Sequence, residues 1–141
     1  MKPWLNKIYR PMSLALALIF ALVGLAFLLI PGGVISFFNR LSGAIGFRPT
    51  PAAGANFFLI LAVGYMVMVT FLAWKMYRHP DEKAFPLVLA IAKIASSVLS
   101  FAFFIVLAPY LIYLVNGLVD GLIGVVVLLC SFSFRSRASS K

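Results

Sequence analysis

The sequence predicts an all-α integral membrane protein, an antiparallel four-transmembrane-helix bundle with a short interfacial helix between spans 1 and 2. Three observations lead to this fold class. Hydrophobic residues make up 64% of the 141 residues and charged residues only 11%, whereas about a quarter of the residues of a soluble domain are charged. The apolar residues form four long runs. The basic residues lie beside those runs, with Lys93 as the exception.

The four apolar runs are long enough to cross a bilayer. Each has about 18 to 21 residues, and about 20 helical residues cross a hydrocarbon core of about 30 Å. The first run is longer than the apolar part of a signal peptide and no cleavage site follows it, so we expect it to stay as an anchor. The spans are predicted at residues 12–30, 57–74, 87–107 and 110–130, within a single transmembrane domain of residues 1–141.

The placement of the basic residues predicts that both termini are cytoplasmic. If the spans alternate in direction, nine basic residues fall on one side and only Arg40 and Arg48 on the other. Cytoplasmic loops carry such an excess of Lys and Arg. Topology and attraction to anionic lipid therefore explain the net charge of +9, and no nucleic-acid partner is predicted. The nine residues are Lys2, Lys7, Arg10, Lys75, Arg78, Lys83, Arg135, Arg137 and Lys141.

The segment between the first two spans is predicted to contain a helix. Pro31-Gly32-Gly33 is expected to end the first span, because proline lacks an amide donor and glycine disfavours a helix interior. The next stretch is too short to span, so we predict an interfacial helix over residues 34–46, followed by the loop "RPTPAAGAN". An apolar connector without a helix is the alternative. The apolar positions at helical spacing are Val34, Phe38, Leu41 and Ile45.

The third span contains a polar stripe. Its thirteen Leu, Ile, Val and Phe residues outweigh the insertion cost of a central lysine, so the span still favours the membrane. On a helical wheel, Ser96, Ser97 and Ser100 lie within about 60° of Lys93. We therefore expect these four side chains to face the bundle.

The fourth span contains a matching group of residues in "YLVNGLVDGLIG". Asn116 and Asp120 lie one helical turn apart, and Gly117, Gly121 and Gly124 lie on the same side of the wheel. Glycine at this spacing lets a neighbouring backbone approach closely. This face is predicted to pack on another helix, with Asp120 bound to a hydrogen-bond donor or protonated.

Whether Lys93 and Asp120 pair depends on their depth in the membrane. Lys93 lies about 6 Å to the cytoplasmic side of its helix centre, and helical side chains lean toward the N-terminus, which moves the two groups apart. We therefore expect coupling through a serine, Tyr65 or a water rather than direct contact. Three alternatives stay open: Lys93 and Asp120 pair directly, the lysine reaches the cytoplasmic headgroups, or Tyr65 donates to Asp120.

No motif predicts an enzyme, a cofactor or a metal site. His79 is the single histidine and has no partners for metal or haem ligation in its loop "YRHPDEK". Asp81 and Glu82, in the same loop, are typical of a solvated turn rather than a catalytic pair. No phosphate-binding loop or nucleophile motif occurs in the sequence.

Two functions of different class remain. The first is a structural or accessory subunit of a larger membrane assembly, with a membrane-protein partner or a second copy of the chain bound in the bilayer. The second is a transporter of protons or small solutes built around Lys93 and Asp120 and working as an oligomer, because ionisable residues within a membrane are functional candidates.

Several segments resemble the small DoxX-like bacterial membrane proteins of four helices. They are "IPGG" after the first span, "LILAVGYMVMVTFLAW" in the second, the turn "KMYRHPDEK" and "LVDGLIGVVVLL" in the last. The resemblance covers residues 12 to 130. It implies a bacterial inner membrane and an accessory role, with redox partners in some members. The cysteine pairs of some DoxX-like proteins are absent here, because Cys130 is the only cysteine.

Overall fold

Five α-helices make up the protein in a computed structural model that describes residues 3–51 and 55–135. They are α1 (Pro3–Leu29), α2 (Pro31–Ala44), α3 (Ala55–Arg78), α4 (Ala84–Val106) and α5 (Leu111–Arg135). Four segments are long and apolar enough to cross a membrane: Ile8–Leu29, Ile60–Arg78, Ala84–Val106 and Leu111–Ser131. The prediction of an all-helical protein with four such helices is confirmed.

The helices extend beyond the predicted spans at most ends. The first begins at Pro3 rather than at residue 12, and the second ends at Arg78 rather than at residue 74. Hydropathy identifies only the apolar part of a helix, which lies in the hydrocarbon core of the bilayer. The helical hydrogen bonding continues beyond it into the polar ends. Two basic residues, Lys75 and Arg78, lie in the last turn of α3, where a cation is favourable to the helix dipole.

The predicted boundary after the first span is wrong in one respect. α1 ends at Leu29, and Pro31 already lies in the first turn of α2, with Ile30 as its N-cap. Proline favours the first turn of a helix because its amide would have no helical partner there. The sequence Pro31-Gly32-Gly33 therefore begins a helix, which ends at Ala44 rather than at residue 46.

The face of α2 that packs on the protein contains Ser42. Ser42 is buried, while Leu41 and Ile45 are exposed. The side chain of Asn39 ties the following segment to α2: its Nδ2 donates to the Thr50 carbonyl at 3.1 Å, and the Thr50 amide donates to its Oδ1 at 2.7 Å. α2 packs against α1 and α5, so its exposed apolar side chains face outward from the bundle.

The four long helices form two antiparallel pairs. Along α4 and α5, Ser100 contacts Asn116, and Ile94 approaches Gly124, so the two chains run in opposite directions. α1 and α3 form the second pair, and α3 also contacts α4. Consequently the start of α1, the turn between α3 and α4 and the end of α5 share one end of the bundle, which we call the turn end.

The buried core lies toward the turn end, whereas apolar side chains cover much of the outer surface. Each candidate span is only 22% to 28% buried, and exposed Leu, Ile and Val residues occur along all four. A soluble protein rarely exposes apolar surface on this scale, whereas a lipid-facing helix does. The core consists of Tyr9, Ala17, Phe20, Val69, Ala73, Met76, Leu89, Ala90 and Val127.

Candidate intramembrane polar site

The polar residues of α4 lie on one buried face because of their helical spacing. Lys93, Ser97 and Ser100 recur at intervals of four and three residues and are buried, while Ile91 and Val98 are exposed. On α5, Asp120 is buried and Asn116 is half-buried. We call the set facing one another between the two helices the polar seam: Lys93, Ser96, Ser97, Ser100, Asn116 and Asp120.

Lys93 and Asp120 form a direct ion pair. The Nζ of Lys93 donates to Oδ1 of Asp120 at 2.7 Å, and the two residues are only 1% and 3% exposed. The expectation of an indirect contact was wrong, and Lys93 does not extend to the headgroups. Ile94 lies against Gly124, so Asp120 is about one turn from the level of Lys93. The flexible four-carbon stem of lysine covers that distance.

Two aromatic rings complete the surroundings of the ammonium group. Its nitrogen lies 4.5 Å from the ring centroid of Phe20 and 5.0 Å from that of Tyr65. A cation over an aromatic face is attracted by the ring quadrupole, more strongly when it is desolvated. Because Phe20 belongs to α1 and Tyr65 to α3, Lys93 contacts all three of the other long helices.

The remaining members of the polar seam form hydrogen bonds between α4 and α5. Ser97 Oγ donates to the Gly117 carbonyl at 2.7 Å. Asn116 Nδ2 donates to Ser100 Oγ at 2.8 Å and to Ser96 Oγ at 3.3 Å. Each such bond joins residues on different helices, so the polar seam fixes the rotation of α4 against α5.

Glycines on α5 allow this close approach. A Cβ on Gly124 would lie 2.7 Å from Ile94 Cγ1, and one on Gly121 would lie 2.8 Å from Ser97 Oγ. A Cβ on Gly117 would lie 3.1 Å from the Phe101 ring. The three glycines predicted to pack on a helix therefore all face α4.

Two buried polar atoms close to the ion pair make no hydrogen bond within the described part of the chain. They are Asp120 Oδ2 and the hydroxyl oxygen of Tyr65. The Tyr65 hydroxyl lies near Ser96 and Asp120, but neither contact is a hydrogen bond of acceptable geometry. The alternative in which Tyr65 donates to Asp120 is therefore wrong, because its ring, rather than its hydroxyl, takes part in the site.

A cleft of about 600 Å³ lies beside the polar seam, in the half of the bundle away from the turn end. All four long helices contribute to its walls. Its polar lining comes from Tyr65, Ser96, Ser100, Tyr113 and Asn116, and its apolar lining from Phe27, Ala92, Ala95, Leu99, Phe103 and Ile112. The cleft is therefore amphipathic, with hydroxyl and amide groups on one side and hydrocarbon on the other.

Sequence reasoning missed Phe20 and Phe101. Each lies in an apolar run of a sequence with 14 phenylalanines, and no local pattern distinguishes them from lipid-facing residues. Chemically, the polar seam neutralises its own two charges. Ser97 and Asn116 donate to neighbouring oxygens, which is the arrangement of a structural network with one amphipathic cleft attached.

No known protein family, curated protein or solved structure matches this chain. The resemblance to DoxX-like proteins therefore stays a prediction.

Proposed function

We propose that the chain is a non-enzymatic multi-pass membrane protein that serves as an accessory or structural subunit of a larger assembly in the bacterial inner membrane. The contacts of Lys93 support this proposal most directly. Its ammonium group pairs with Asp120 on α5 and lies against rings from α1 and α3. A charge bound by all the other long helices stabilises one arrangement of the bundle, as expected of a structural component.

The arrangement of the basic residues supports an orientation with the turn end in the cytoplasm. Arg10, Lys75, Arg78 and Lys83 all belong to that end, whereas Arg40 and Arg48 belong to the opposite one. Positive charge in short loops is retained on the cytoplasmic side. Residues 1, 2 and 136–141 lie outside the described residues, and the charge distribution supports the proposal that both termini are cytoplasmic.

Cysteine labelling in intact cells tests this orientation. In a Cys130→Ser background, Thr50→Cys and Asp81→Cys each place a single thiol in a loop at one end of the bundle. A membrane-impermeant maleimide should label Thr50→Cys from outside and Asp81→Cys only after lysis. The reverse pattern would contradict the proposed orientation. The backbone bonds of residue 50 to Asn39 do not depend on its side chain, so the loop should keep its structure.

Native purification tests the accessory role. The full chain, extracted in mild detergent, is expected to leave the membrane in a complex of fixed stoichiometry with another membrane protein, measured by native mass spectrometry. Gly121→Leu provides the control, because its side chain would collide with Ser97 and disturb the α4–α5 interface. A chain that purifies alone, or with the same proteins in varying amounts, would contradict the proposal.

One observation favours a second candidate, a small-solute or proton transporter. Asp120 Oδ2 is buried without a hydrogen bond among the described residues and lies in a bundle that carries an amphipathic cleft. A carboxylate oxygen with free acceptor capacity is able to take up a proton. Flux in liposomes that contain only this chain, abolished in a folded Lys93→Met/Asp120→Leu variant, would favour transport over the accessory role.

A further inference from the structure

The amphipathic cleft has the size and position of a ligand site that opens toward lipid. Its volume of about 600 Å³ lies within the range of about 300–1,000 Å³ of small-molecule pockets. At its border, Leu99 is 57% exposed and Phe103 is 46% exposed. A ligand therefore reaches the cleft along an apolar surface, which favours a molecule already dissolved in the bilayer.

The polar side of the cleft offers hydrogen-bond donors. Ser96 Oγ and Ser100 Oγ each accept a bond from the Asn116 amide, and neither hydroxyl donates a hydrogen bond among the described side chains of residues 8–51 and 60–131. The Tyr65 hydroxyl is buried and also makes no hydrogen bond there. Three hydroxyls on α3 and α4 thus gather at one wall without a donor bond of acceptable geometry among the described side chains, and an acceptor oxygen on a ligand would satisfy donors that otherwise cost free energy.

Charge does not favour an ionic ligand. Lys93 and Asp120 neutralise each other at 2.7 Å, and the cleft lining contains no charged residue. Bringing an ion into this apolar cleft would require desolvation without a compensating partner. The ligand is therefore neutral, with an acceptor oxygen at one end and hydrocarbon along the rest.

We propose that the cleft binds a neutral amphiphile through a carbonyl oxygen, which accepts hydrogen bonds from two of the hydroxyls of Tyr65, Ser96 and Ser100 while its hydrocarbon chain lies along Leu99 and Phe103. Two sources provide this chemistry: an ester carbonyl of a bilayer lipid, or a free long-chain carbonyl compound. The site does not depend on the accessory role, because it requires only the folded chain.

Three probes of matched chain length test the carbonyl. The purified full chain in mild detergent is titrated with a diacylglycerol, with the dialkylglycerol ether that lacks both carbonyls, and with a long-chain methyl ketone, and bound molecules are counted by native mass spectrometry. We expect the ether to bind about two- to tenfold more weakly than the ester, the effect of losing a neutral hydrogen bond. Equal binding of ester and ether would overturn the proposal.

The ketone identifies the source. Tighter binding of the diacylglycerol assigns the site to bilayer esters, and equal or tighter binding of the ketone assigns it to free carbonyl compounds. Either result supports the site when the ether is weaker. Failure of both carbonyl probes to bind would overturn it.

Conservative variants test whether the ligand binds at the hydroxyls of the cleft. Tyr65→Phe removes only the hydroxyl and keeps the ring beside Lys93, so the fold should remain while diacylglycerol binding weakens about two- to tenfold. Ser96→Ala/Ser100→Ala should weaken it at least as much. Tyr77→Phe is the matched control on the same helix, because Tyr77 lies at the turn end beside Arg10 and should have no effect. Wild-type binding by both Tyr65→Phe and the double serine variant would overturn the proposal.

Discussion

The two helix pairs of the bundle are held together in different ways. Between α4 and α5, Ser97 and Asn116 donate hydrogen bonds from one helix to the other. In α1 and α3, the hydroxyls of Ser13 and Thr70 donate to carbonyls four residues earlier in the same helix, at 2.8 and 2.7 Å. The α1–α3 pair has a cation–π contact, between Arg10 and Tyr77 at the turn end, and otherwise depends mainly on shape. The α4–α5 pair depends on directional hydrogen bonds as well.

This difference matters because lipid provides little hydrophobic drive for helix association. An apolar helix face gains similar contacts against lipid and against another helix, so its packing is specified by close fit alone. A polar face has few acceptable partners, because unpaired polar groups in hydrocarbon cost free energy. The α4–α5 pair should thus be the more specific unit, and three predictions test that comparison.

The largest effect is expected from breaking the ion pair. Lys93→Met or Asp120→Leu alone leaves one buried charge without its partner, which should lower the free energy of unfolding by about 3–5 kcal/mol. The double variant should recover most of the loss, because no buried charge remains. The measurement is a double-mutant cycle of unfolding in mixed micelles, with folded yield as a second readout. Losses that simply add would show that the two side chains do not interact.

A smaller effect is expected from filling the glycine contacts. Gly124→Ala places a Cβ 2.7 Å from Ile94 and 3.3 Å from the Ala90 carbonyl, which should cost about 1–3 kcal/mol of stability. Gly24→Ala in the α1–α3 pair should cost less, because its Cβ would lie 3.0 Å from the Met66 Cβ, a smaller overlap than the 2.7 Å contact at Gly124.

Gly64→Ala is the matched control for both glycine variants. No atom lies within 4 Å of its added Cβ, so its stability should stay within about 0.5 kcal/mol of wild type. Thermal aggregation in detergent ranks the three variants. Equal losses in all three would contradict the role of close packing, because alanine favours a helix more than glycine does and Gly64 has no neighbour to collide with.

The smallest effect is expected from single hydroxyls. Ser97→Ala removes a bond between helices and should cost about 0.6 kcal/mol, the average for such bonds in a membrane protein. Ser13→Ala removes a bond within α1 and should cost less, because the Tyr9 carbonyl remains within its own helix. Both serines are buried, so burial is matched. A greater loss for Ser13→Ala, measured as the free energy of unfolding, would contradict the proposed difference between the pairs.

The sequence predicted the helices well because hydropathy and helical spacing are local properties. The burial of Lys93, Ser97 and Ser100 follows from the same periodicity. The start of α2 was missed for a local reason too, because Pro31 both ends one helix and begins another. Proline disfavours the interior of a helix but favours its first turn, so Pro31 is compatible with the end of α1 and with the start of α2.

The contact between Lys93 and Asp120 could not be derived in the same way. It depends on the register of two helices, which follows from the geometry of the short connection between them and from the packing of Gly121 and Gly124. The positions of Phe20 and Tyr65 depend further on how the α1–α3 pair lies against α4. Such relations are tertiary, and the helical wheel of a single span contains no information about them.

The order of residues along the chain gives the ion pair a role during synthesis. Lys93 leaves the ribosome 27 residues before Asp120, so the charged side chain of α4 emerges before its partner does. Only residues 107–110 separate the two helices. A connection this short keeps α5 next to α4 as it emerges. We therefore expect the two helices to enter the bilayer together as one hairpin, with Lys93 already paired with Asp120 before it is exposed to lipid.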